Sequence, residues 1–129
     1  MSSFSNTSVL EIDGTYFENK EPYKLKDKRC AMVLFYASWC GHCHNLIPDY
    51  IKFADKAQFL HVYAIEHDSN KSFYDKLKDT PLTIEGFPTI YLFKDGKPVE
   101  EYNGERNVQS LMSKSMLFCN TECKCDTNL

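Results

Sequence analysis

The sequence predicts an α/β fold in which a central mixed β-sheet of about five strands is flanked by about four helices. Apolar strand-like runs alternate along the chain with segments of helical periodicity, a pattern typical of sheets whose strands are joined by helical crossovers. A tight turn then joins the last two strand-like runs, and a turn of that length requires antiparallel neighbours. The 129 residues are the usual size of one such domain.

The first half of the chain contains two predicted strands and the longest predicted helix. Residues 9–12 alternate briefly between apolar and polar side chains, as in a half-buried strand. Residues 30–36 are apolar without alternation, which indicates a central strand covered on both faces. Residues 40–59 carry apolar side chains at spacings of three and four, as on one face of an amphipathic helix. Cys40 and Cys43 therefore lie at the start of a predicted helix.

The middle of the chain continues the alternation of strands and helices. Residues 61–66 are rich in β-branched and aromatic side chains and predict a strand, whereas residues 71–77 predict a short helix. Residues 86–93 predict the next strand. The strand–helix alternation therefore extends over about the first two thirds of the chain.

The last third is predicted as a β-hairpin followed by a helix. Residues 94–97 form the turn, with Gly96 at the position that tolerates positive φ, and an antiparallel strand follows at about residues 99–102. From Val108 onward, apolar side chains mark one face of a terminal helix, and Asn107 is a suitable N-cap. The hairpin makes the predicted sheet mixed.

The composition argues against two classes of partner. The formal net charge is −3 and the lysines are interleaved with acidic residues, so the chain has no broad cationic surface for nucleic acid. The longest apolar run, residues 31–37, is far too short to cross a bilayer, so no membrane is expected as a partner. We expect a monomer.

The termini and the cysteine content bear on the compartment. The N-terminal residues are polar and lack the basic and apolar segments of a secretory signal, and the last residues are not a Lys-Asp-Glu-Leu type retrieval signal. If the sequence is complete, these observations predict a cytoplasmic or particle-associated protein. Six cysteines are many for a cytosolic chain of this length, which indicates that some of the thiols take part in chemistry.

Three motifs at matching separations point to a family. Residues 35–43, Phe-Tyr-Ala-Ser-Trp-Cys-Gly-His-Cys, resemble the active-site segment of the catalytic domains of protein disulfide isomerases. Residues 86–89, Gly-Phe-Pro-Thr, resemble the cis-proline loop of thioredoxin-fold proteins, and residues 102–106 resemble the start of that family's last helix. The resemblance extends over about residues 9–118. It implies a thioredoxin fold.

The two cysteines of this motif suit thiol–disulfide exchange. At a helix N-terminus several backbone N–H groups are unpaired, and they stabilise a thiolate on Cys40. We therefore expect Cys40 to be the attacking nucleophile and Cys43, deeper in the helix, to resolve the mixed disulfide. A zinc site is the alternative for such a pair, but it requires two further ligands nearby. The exchange uses side chains alone, so we expect no cofactor and no metal.

His42 lies between the two cysteines and bears on the direction of exchange. An imidazolium there favours the thiolate, and hence the reduced dithiol over the disulfide, which makes the pair a better oxidant. The sequence therefore predicts a thiol–disulfide oxidoreductase that acts on protein substrates and is biased towards disulfide formation and isomerisation. A general thioredoxin-like disulfide reductase is the alternative. In either case the partners are proteins with thiols or disulfides, together with an upstream oxidase or reductase.

The resemblance also implies a substrate-binding surface around the cysteines. In the family, the residue matching Pro88 has a cis peptide bond and faces the nucleophile, and the backbone of Phe87 is free there to pair with an extended substrate. Trp39 and Gly41 flank the nucleophile, with the indole as an apolar platform. Loop rigidity is the alternative role for Pro88, and packing is the alternative for Trp39. Arg106 matches an arginine that approaches the resolving cysteine in disulfide isomerases and tunes its acidity.

One position departs from the family pattern. The family usually buries an acidic residue six positions before the first cysteine, where it accepts the proton of the resolving thiol, but this chain has Leu34 there. The usual lysine on the neighbouring strand is replaced by Ala64 in the best alignment. Without a buried base, release of the Cys43 proton is expected to be slow. A weakly active thioredoxin-fold binding module is therefore a further alternative.

Half of the cysteines lie beyond the matched region. The domain is predicted at residues 1–118, and residues 119–129 form a cysteine-rich tail. The tail holds Cys119, Cys123 and Cys125. Three interpretations stay open for this cluster: a structural disulfide that pins the terminal helix, a relay that exchanges electrons with the active pair, and metal capture. Cys30, at the start of the central strand, is predicted to be a buried small hydrophobe.

Overall fold

Five strands and three α-helices make up the described part of the chain, residues 3–120 of the computed structural model. The strands are β1 (Val9–Ile12), β2 (Ala31–Tyr36), β3 (His61–Glu66), β4 (Thr89–Lys94) and β5 (Lys97–Glu101). The α-helices are α1 (Gly41–Lys56), α2 (Lys71–Leu77) and α3 (Val108–Asn120). No helix within residues 3–120 is long and apolar enough to cross a bilayer.

The strands form one mixed sheet in the order β1-β3-β2-β4-β5. Both β1 and β2 pair with β3 in parallel, whereas β4 pairs antiparallel with β2 and β5 pairs antiparallel with β4. This mixed five-stranded sheet confirms the predicted fold class. The chain also contains two short 3₁₀ helices, Gly14–Tyr16 and Asp68–Asn70, so only three of the predicted four or so helices are α-helices.

The central strand β2 separates two apolar cores. Every residue of β2 is buried, because helices cover both faces of the sheet. Met32, Leu34 and Tyr36 point into the core that contains residues of α1 and α3. Val33 and Phe35 point into the core that contains residues of α2. This two-sided burial explains why the sequence of the strand does not alternate.

The C-terminal hairpin and helix form as the sequence predicts. Gly96 has a φ of 81° in the turn between β4 and β5, and a Cβ there would lie 2.6 Å from the carbonyl oxygen of Leu25. The side chain of Asn107 accepts a 2.8 Å hydrogen bond from the backbone N–H of Ser110, as an N-cap does. Gly96 therefore suits the hairpin turn because it has no Cβ, and Asn107 suits the start of α3 because its side chain caps the helix.

A disulfide joins Cys30 to Cys119 across a sequence separation of 89 residues. Cys30 directly precedes β2, and Cys119 lies in the last turn of α3, which packs beside α1. The prediction that Cys30 is a buried small hydrophobe is therefore wrong. It failed because a pairing over so many residues leaves no local signal in the sequence.

The same bond changes the predicted tail. Cys119 belongs to α3, which continues to residue 120, and not to a tail that starts at residue 119. Of the three interpretations of the cysteine cluster, a disulfide that pins the terminal helix holds for Cys119. Next to the bond, Lys94 donates a 3.1 Å hydrogen bond to the carbonyl oxygen of Phe118 and lies 5.0 Å from the centre of its ring. Cys123 and Cys125 lie outside the described residues.

Candidate active site

Cys40 is the N-cap of α1. Its backbone is extended, with φ −91° and ψ 118°, and its Sγ accepts a 3.2 Å hydrogen bond from the backbone N–H of Cys43. The unpaired N–H groups of the first helical turn stabilise negative charge on that sulfur. Both cysteines are free thiols, but Cys40 is 7% exposed whereas Cys43 is completely buried. The first cysteine is therefore the one that a substrate can reach.

The surroundings of Cys43 keep its thiol protonated. Burial and the hydrogen bond with Cys40 raise the pKa of Cys43 to about 12. A backbone hydrogen bond with Ala37 and the positive charge of Arg106 act in the opposite direction, and Arg106 is exposed, so water screens much of its charge. Removal of the Cys43 proton at neutral pH therefore needs a base.

The position six residues before Cys40 holds no carboxylate. Leu34 is completely buried in the same core as Cys43. It pairs with Ala64 on β3 and with Ile90 on β4. This register confirms that Ala64 is the neighbour of Leu34, at the position predicted for the family's lysine. Neither an acid nor a lysine therefore occupies these two positions in the core that contains Cys43.

Tyr36 is a polar side chain on the same face of β2. Its phenol donates a hydrogen bond to the carboxylate of Glu11. Burial and this bond raise the pKa of Tyr36 far above its ordinary value, and negative charge on Cys43 raises it further. A phenol that holds its proton so firmly does not supply the missing base.

The loop before β4 lies opposite Cys40. The Phe87–Pro88 peptide bond is cis, as the resemblance implies. The Cys40 thiol donates a hydrogen bond to the carbonyl oxygen of Phe87 over 3.6 Å. Because this loop occupies residues 86–88, the strand that the sequence predicts from residue 86 begins only at Thr89. Cys40 therefore faces backbone groups that no strand pairing uses.

Trp39 forms the exposed rim of the site. Its side chain is 65% exposed, and its ring meets the Phe87 ring edge to face at a centroid distance of 5.9 Å. A groove of about 470 Å³ continues from Phe87 and Pro88 towards β4 and β5. Phe87 therefore lines this groove and also accepts the hydrogen bond of Cys40, so the groove, called the cleft below, begins beside Cys40.

Sequence reasoning missed the end of β3 and the turn that follows it, residues 66–69. Glu66 is buried and accepts hydrogen bonds from the backbone N–H groups of Ser38 at 3.1 Å and Ser69 at 2.9 Å. Burial alone would raise the pKa of Glu66, but these N–H donors hold it below its ordinary value. The predicted order of strands and helices did contain a signal for this segment. The carboxyl ends of neighbouring parallel strands lie side by side, and Cys40 follows β2 at the same end of the sheet at which Glu66 ends β3.

The remaining predicted residues lie around the helix start or far from it. Gly41 and His42 are exposed in the first turn of α1, and a Cβ on Gly41 would meet no atom within 4 Å. Cys119 is bonded near the opposite end of β2. Within residues 3–120, no three His, Cys, Asp or Glu side chains are grouped in a way that could hold a metal ion. The site is thus an aromatic cleft around one dithiol.

Known proteins are similar to this chain in sequence or in fold. Protein disulfide-isomerase like 2-2 of Arabidopsis thaliana is 34% identical over 108 residues, a match that covers 83% of this chain and 22% of the relative. The first thioredoxin domain of mouse protein disulfide-isomerase A4 is 30% identical, with a TM-score of 0.60 over 75% of this chain and 68% of that one. A crystal structure of ERdj5 is 22% identical, with a TM-score of 0.71 over 88% of this chain and 15% of that one.

A family model agrees with these similarities. This chain spans about a fifth of the length of the curated plant relatives that it matches, 22% and 21% for two of them. The model described as Thioredoxin matches residues 9–116, from the first strand to the last helix. The chain belongs to the thioredoxin family.

Proposed function

We propose that this chain is a thiol–disulfide oxidoreductase of protein substrates, with Cys40 as the nucleophile and Cys43 as the resolving thiol. The observation that carries the proposal is the position of Cys40, whose sulfur accepts the Cys43 N–H at a helix N-terminus opposite a cis-proline loop. Relatives named protein disulfide-isomerase support the same activity.

The exchange consists of two displacements that move two electrons. The Cys40 thiolate attacks one sulfur of a substrate disulfide, forms a mixed disulfide and releases the other substrate sulfur as a thiolate. The Cys43 thiol then loses its proton and attacks the Cys40 Sγ, which breaks the mixed disulfide and releases the second substrate sulfur. The substrate gains two electrons, and the chain retains a Cys40–Cys43 disulfide. Disulfide formation in a substrate is the reverse sequence.

The net direction is towards disulfide formation and isomerisation. His42 is exposed beside the nucleophile, where a positive charge stabilises the thiolate and so the reduced pair. Arg106 acts on the second thiol, because its positive charge lowers the pKa of Cys43. An upstream oxidase restores the Cys40–Cys43 disulfide after each substrate oxidation. If the net flow is reduction, an upstream reductase instead restores the dithiol.

Substrate binding uses the cleft beside Cys40. Trp39 supplies an apolar platform at the rim. The open surface at Gly41 leaves space for the substrate chain. Phe87 and Pro88 present backbone groups that an extended substrate segment can pair with. The cleft therefore suits an unfolded or extended segment of a protein.

A second candidate function is a module that captures protein thiols covalently and releases them slowly. The observation that favours it is the pair Leu34 and Ala64, which supplies no base at the family's usual position. Cys43 needs such a base, because burial and the hydrogen bond with Cys40 raise its pKa to about 12. Such a module forms mixed disulfides through Cys40 but completes few turnovers. It differs from the first candidate in the rate of the second displacement alone.

Two assays on the purified chain separate these functions. Reduction of insulin disulfides measures reductase activity, and refolding of a scrambled disulfide protein measures isomerisation. The first candidate predicts turnover in the refolding assay that is lost in Cys40→Ser. Wild-type rates no higher than those of Cys40→Ser in both assays contradict an oxidoreductase. Accumulation of covalent adducts by the wild type, at the level of Cys43→Ser, supports the second candidate.

A further inference from the structure

The turn that follows β3 touches both walls of the cleft. Asp68 Oδ1 accepts hydrogen bonds from Trp39 Nε1 at 3.2 Å and from His67 Nδ1 at 2.8 Å. The His67 ring lies 5.4 Å from the Phe87 ring, which in turn lies 5.9 Å from the Trp39 ring. These contacts form a closed circuit, the rim network, of four side chains: Trp39, His67, Asp68 and Phe87.

The rim network borders Cys40 on two sides. Trp39 directly precedes Cys40 in the chain, and the carbonyl oxygen of Phe87 accepts the hydrogen bond of the Cys40 thiol. Trp39 therefore borders Cys40 in the segment between β2 and α1, and Phe87 borders it in the loop before β4. His67 and Asp68 join the two walls without contacting the reacting sulfur.

A rigid support holds His67 in place. Its backbone N–H donates a 2.8 Å hydrogen bond to the carbonyl oxygen of Tyr36, at the end of β2. Its ring lies 4.9 Å from the ring of Tyr74 on α2, and the Tyr74 hydroxyl donates a 2.8 Å hydrogen bond to the carbonyl oxygen of Ile65 on β3. Two strands and a helix thus fix the imidazole, which can in turn fix the rings of the rim.

Asp68 provides the acceptor for the exposed indole. Hydrogen bonds from His67 and Trp39 lower the pKa of Asp68, so it is a carboxylate at neutral pH and accepts both N–H groups at once. Without this acceptor, the largely exposed Trp39 ring loses the polar contact that sets its orientation against Phe87. The carboxylate therefore links the orientation of one ring to the position of the other.

We propose that His67 and Asp68 are positioning residues for protein substrates, because they hold the Trp39 and Phe87 rings in the edge-to-face contact that forms an apolar platform for an extended chain beside Cys40. This inference rests on the proposed function, since it concerns the substrate cleft of that activity. Rings that are held in place before binding lose little further freedom when the substrate arrives. A small disulfide reagent reaches the sulfur without contacting both rings and does not need the network.

The test compares a protein substrate with a small disulfide. In His67→Ala and in Asp68→Ala, the KM for insulin is expected to rise about fivefold, the loss expected when an aromatic contact is misplaced. The kcat is expected to stay within about twofold, and the rate with oxidised glutathione is expected to be unchanged. Asp75→Ala is the matched control, because Asp75 makes an exposed ion pair with Lys78 and is no member of the network.

Double and conservative variants distinguish one network from two separate contacts. The His67→Ala/Asp68→Ala double variant is expected to show the same KM as either single variant, since both break one circuit. His67→Phe keeps the ring, and Asp68→Asn keeps an acceptor oxygen, so each is expected to recover part of the lost affinity. Additive effects, or no recovery in both conservative variants, would overturn the proposal.

The fluorescence of Trp39 gives a readout that does not depend on activity. Trp39 is the single tryptophan of the chain, so emission reports on the rim directly. Its emission is expected to shift in His67→Ala and Asp68→Ala and to stay unchanged in Asp75→Ala. Unchanged emission or unchanged KM in both single variants contradicts the network, and so does a parallel loss of the glutathione rate. A wild-type chain inactive on both substrates would contradict the proposed function instead, and the emission spectra would still decide the network.

Discussion

Two cysteine pairs lie at opposite ends of β2, and each meets a different helix terminus. Cys40 follows the strand and caps the N-terminus of α1, where unpaired N–H groups stabilise a thiolate. Cys30 precedes the strand and is bonded to Cys119 in the last turn of α3, where unpaired carbonyl groups disfavour negative charge on sulfur. The same residue type is therefore suited to exchange at one end and to a structural bond at the other.

Sequence separation adds to that contrast. Cys40 and Cys43 are three residues apart, so a bond between them closes a very short loop and removes little entropy from the unfolded chain. Cys30 and Cys119 are separated by 89 residues, and their bond restricts most of the unfolded chain. One pair can gain and lose electrons with little effect on the fold, whereas loss of the other bond destabilises it.

The largest expected effect separates the two pairs by activity. Cys40→Ser is expected to lower the rate of insulin reduction by at least about a thousandfold, because the nucleophile is removed. The Cys30→Ser/Cys119→Ser double variant is expected to stay within about threefold of the wild type at a temperature where it is folded. A loss of similar size in both would contradict the division of roles between the pairs.

The next effect separates them by stability. The Cys30→Ser/Cys119→Ser variant is expected to lose about 4.6 kcal/mol of unfolding free energy, the value that loop-closure entropy gives for a closed loop of this length. Urea unfolding followed by circular dichroism measures the difference. The wild type under strong reductant is the matched control and should lose a similar amount. An unchanged urea midpoint in both would mean that the bond adds no stability to the fold.

A substitution in β2 tests the slow step of the exchanging pair. Leu34→Glu is expected to speed the decay of the mixed disulfide by about a hundredfold, the low end of what a placed general base contributes. The buried carboxylate is expected to reduce stability, because no lysine lies at Ala64. Decay of a preformed mixed disulfide, followed by quenching and gel analysis, measures the rate. Leu34→Gln has nearly the same shape and no base, so equal acceleration in that variant would refute the mechanism.

The smallest effect concerns a polar cluster near the structural bond. Asp27 is 10% exposed and accepts hydrogen bonds from the Tyr63 hydroxyl at 2.6 Å, His61 Nδ1 at 2.5 Å and the Arg29 backbone N–H at 3.0 Å. Burial alone would raise the pKa of Asp27, but these donors hold it far below its ordinary value. The backbone N–H of His61 also donates a hydrogen bond to the carbonyl oxygen of Cys30, so the cluster supports the end of β2 that is next to the disulfide.

Because the folded-state pKa is depressed, the contribution of Asp27 is present above the unfolded pKa of about 3.9 and is lost as pH falls below it. Asp27→Asn is expected to lose about 1 kcal/mol of unfolding free energy at pH 7. The difference in unfolding free energy between the wild type and Asp27→Asn is expected to shrink as the pH falls below about 4. Urea unfolding at several pH values measures it, and a gap that is constant with pH would contradict the assignment to ionised Asp27.

Local patterns in the sequence predicted most of the fold. The apolar run of β2, the hairpin with Gly96 and the Asn107 cap all depend on neighbours within a few residues, and each is confirmed. The position of Cys40 at a helix start followed from periodicity in the same way. The Cys30–Cys119 bond did not follow from periodicity, because it depends on where α3 ends relative to the sheet.

The rim of the site was also out of reach of local patterns. His67 and Asp68 follow β3 at a sheet edge, and only the crossover of the chain brings them to Trp39 and Phe87. Periodicity describes which face of an element is buried, but not which loops meet at its end. The strand order indicates that the segments after β2 and β3 lie near each other, but which of their side chains meet required the structure.

The Cys30–Cys119 bond has a mechanical consequence. It makes residues 30–119 a covalent ring that contains β2, α1, α2, all of α3 except its last residue and every member of the rim network. Tension applied to the two ends of the chain therefore bypasses that ring. The 29 residues before Cys30 can be drawn out to about 100 Å, at roughly 3.5 Å per residue, with β1 detached from the sheet edge. The residues around Cys40 therefore bear no tension for as long as the Cys30–Cys119 bond is intact.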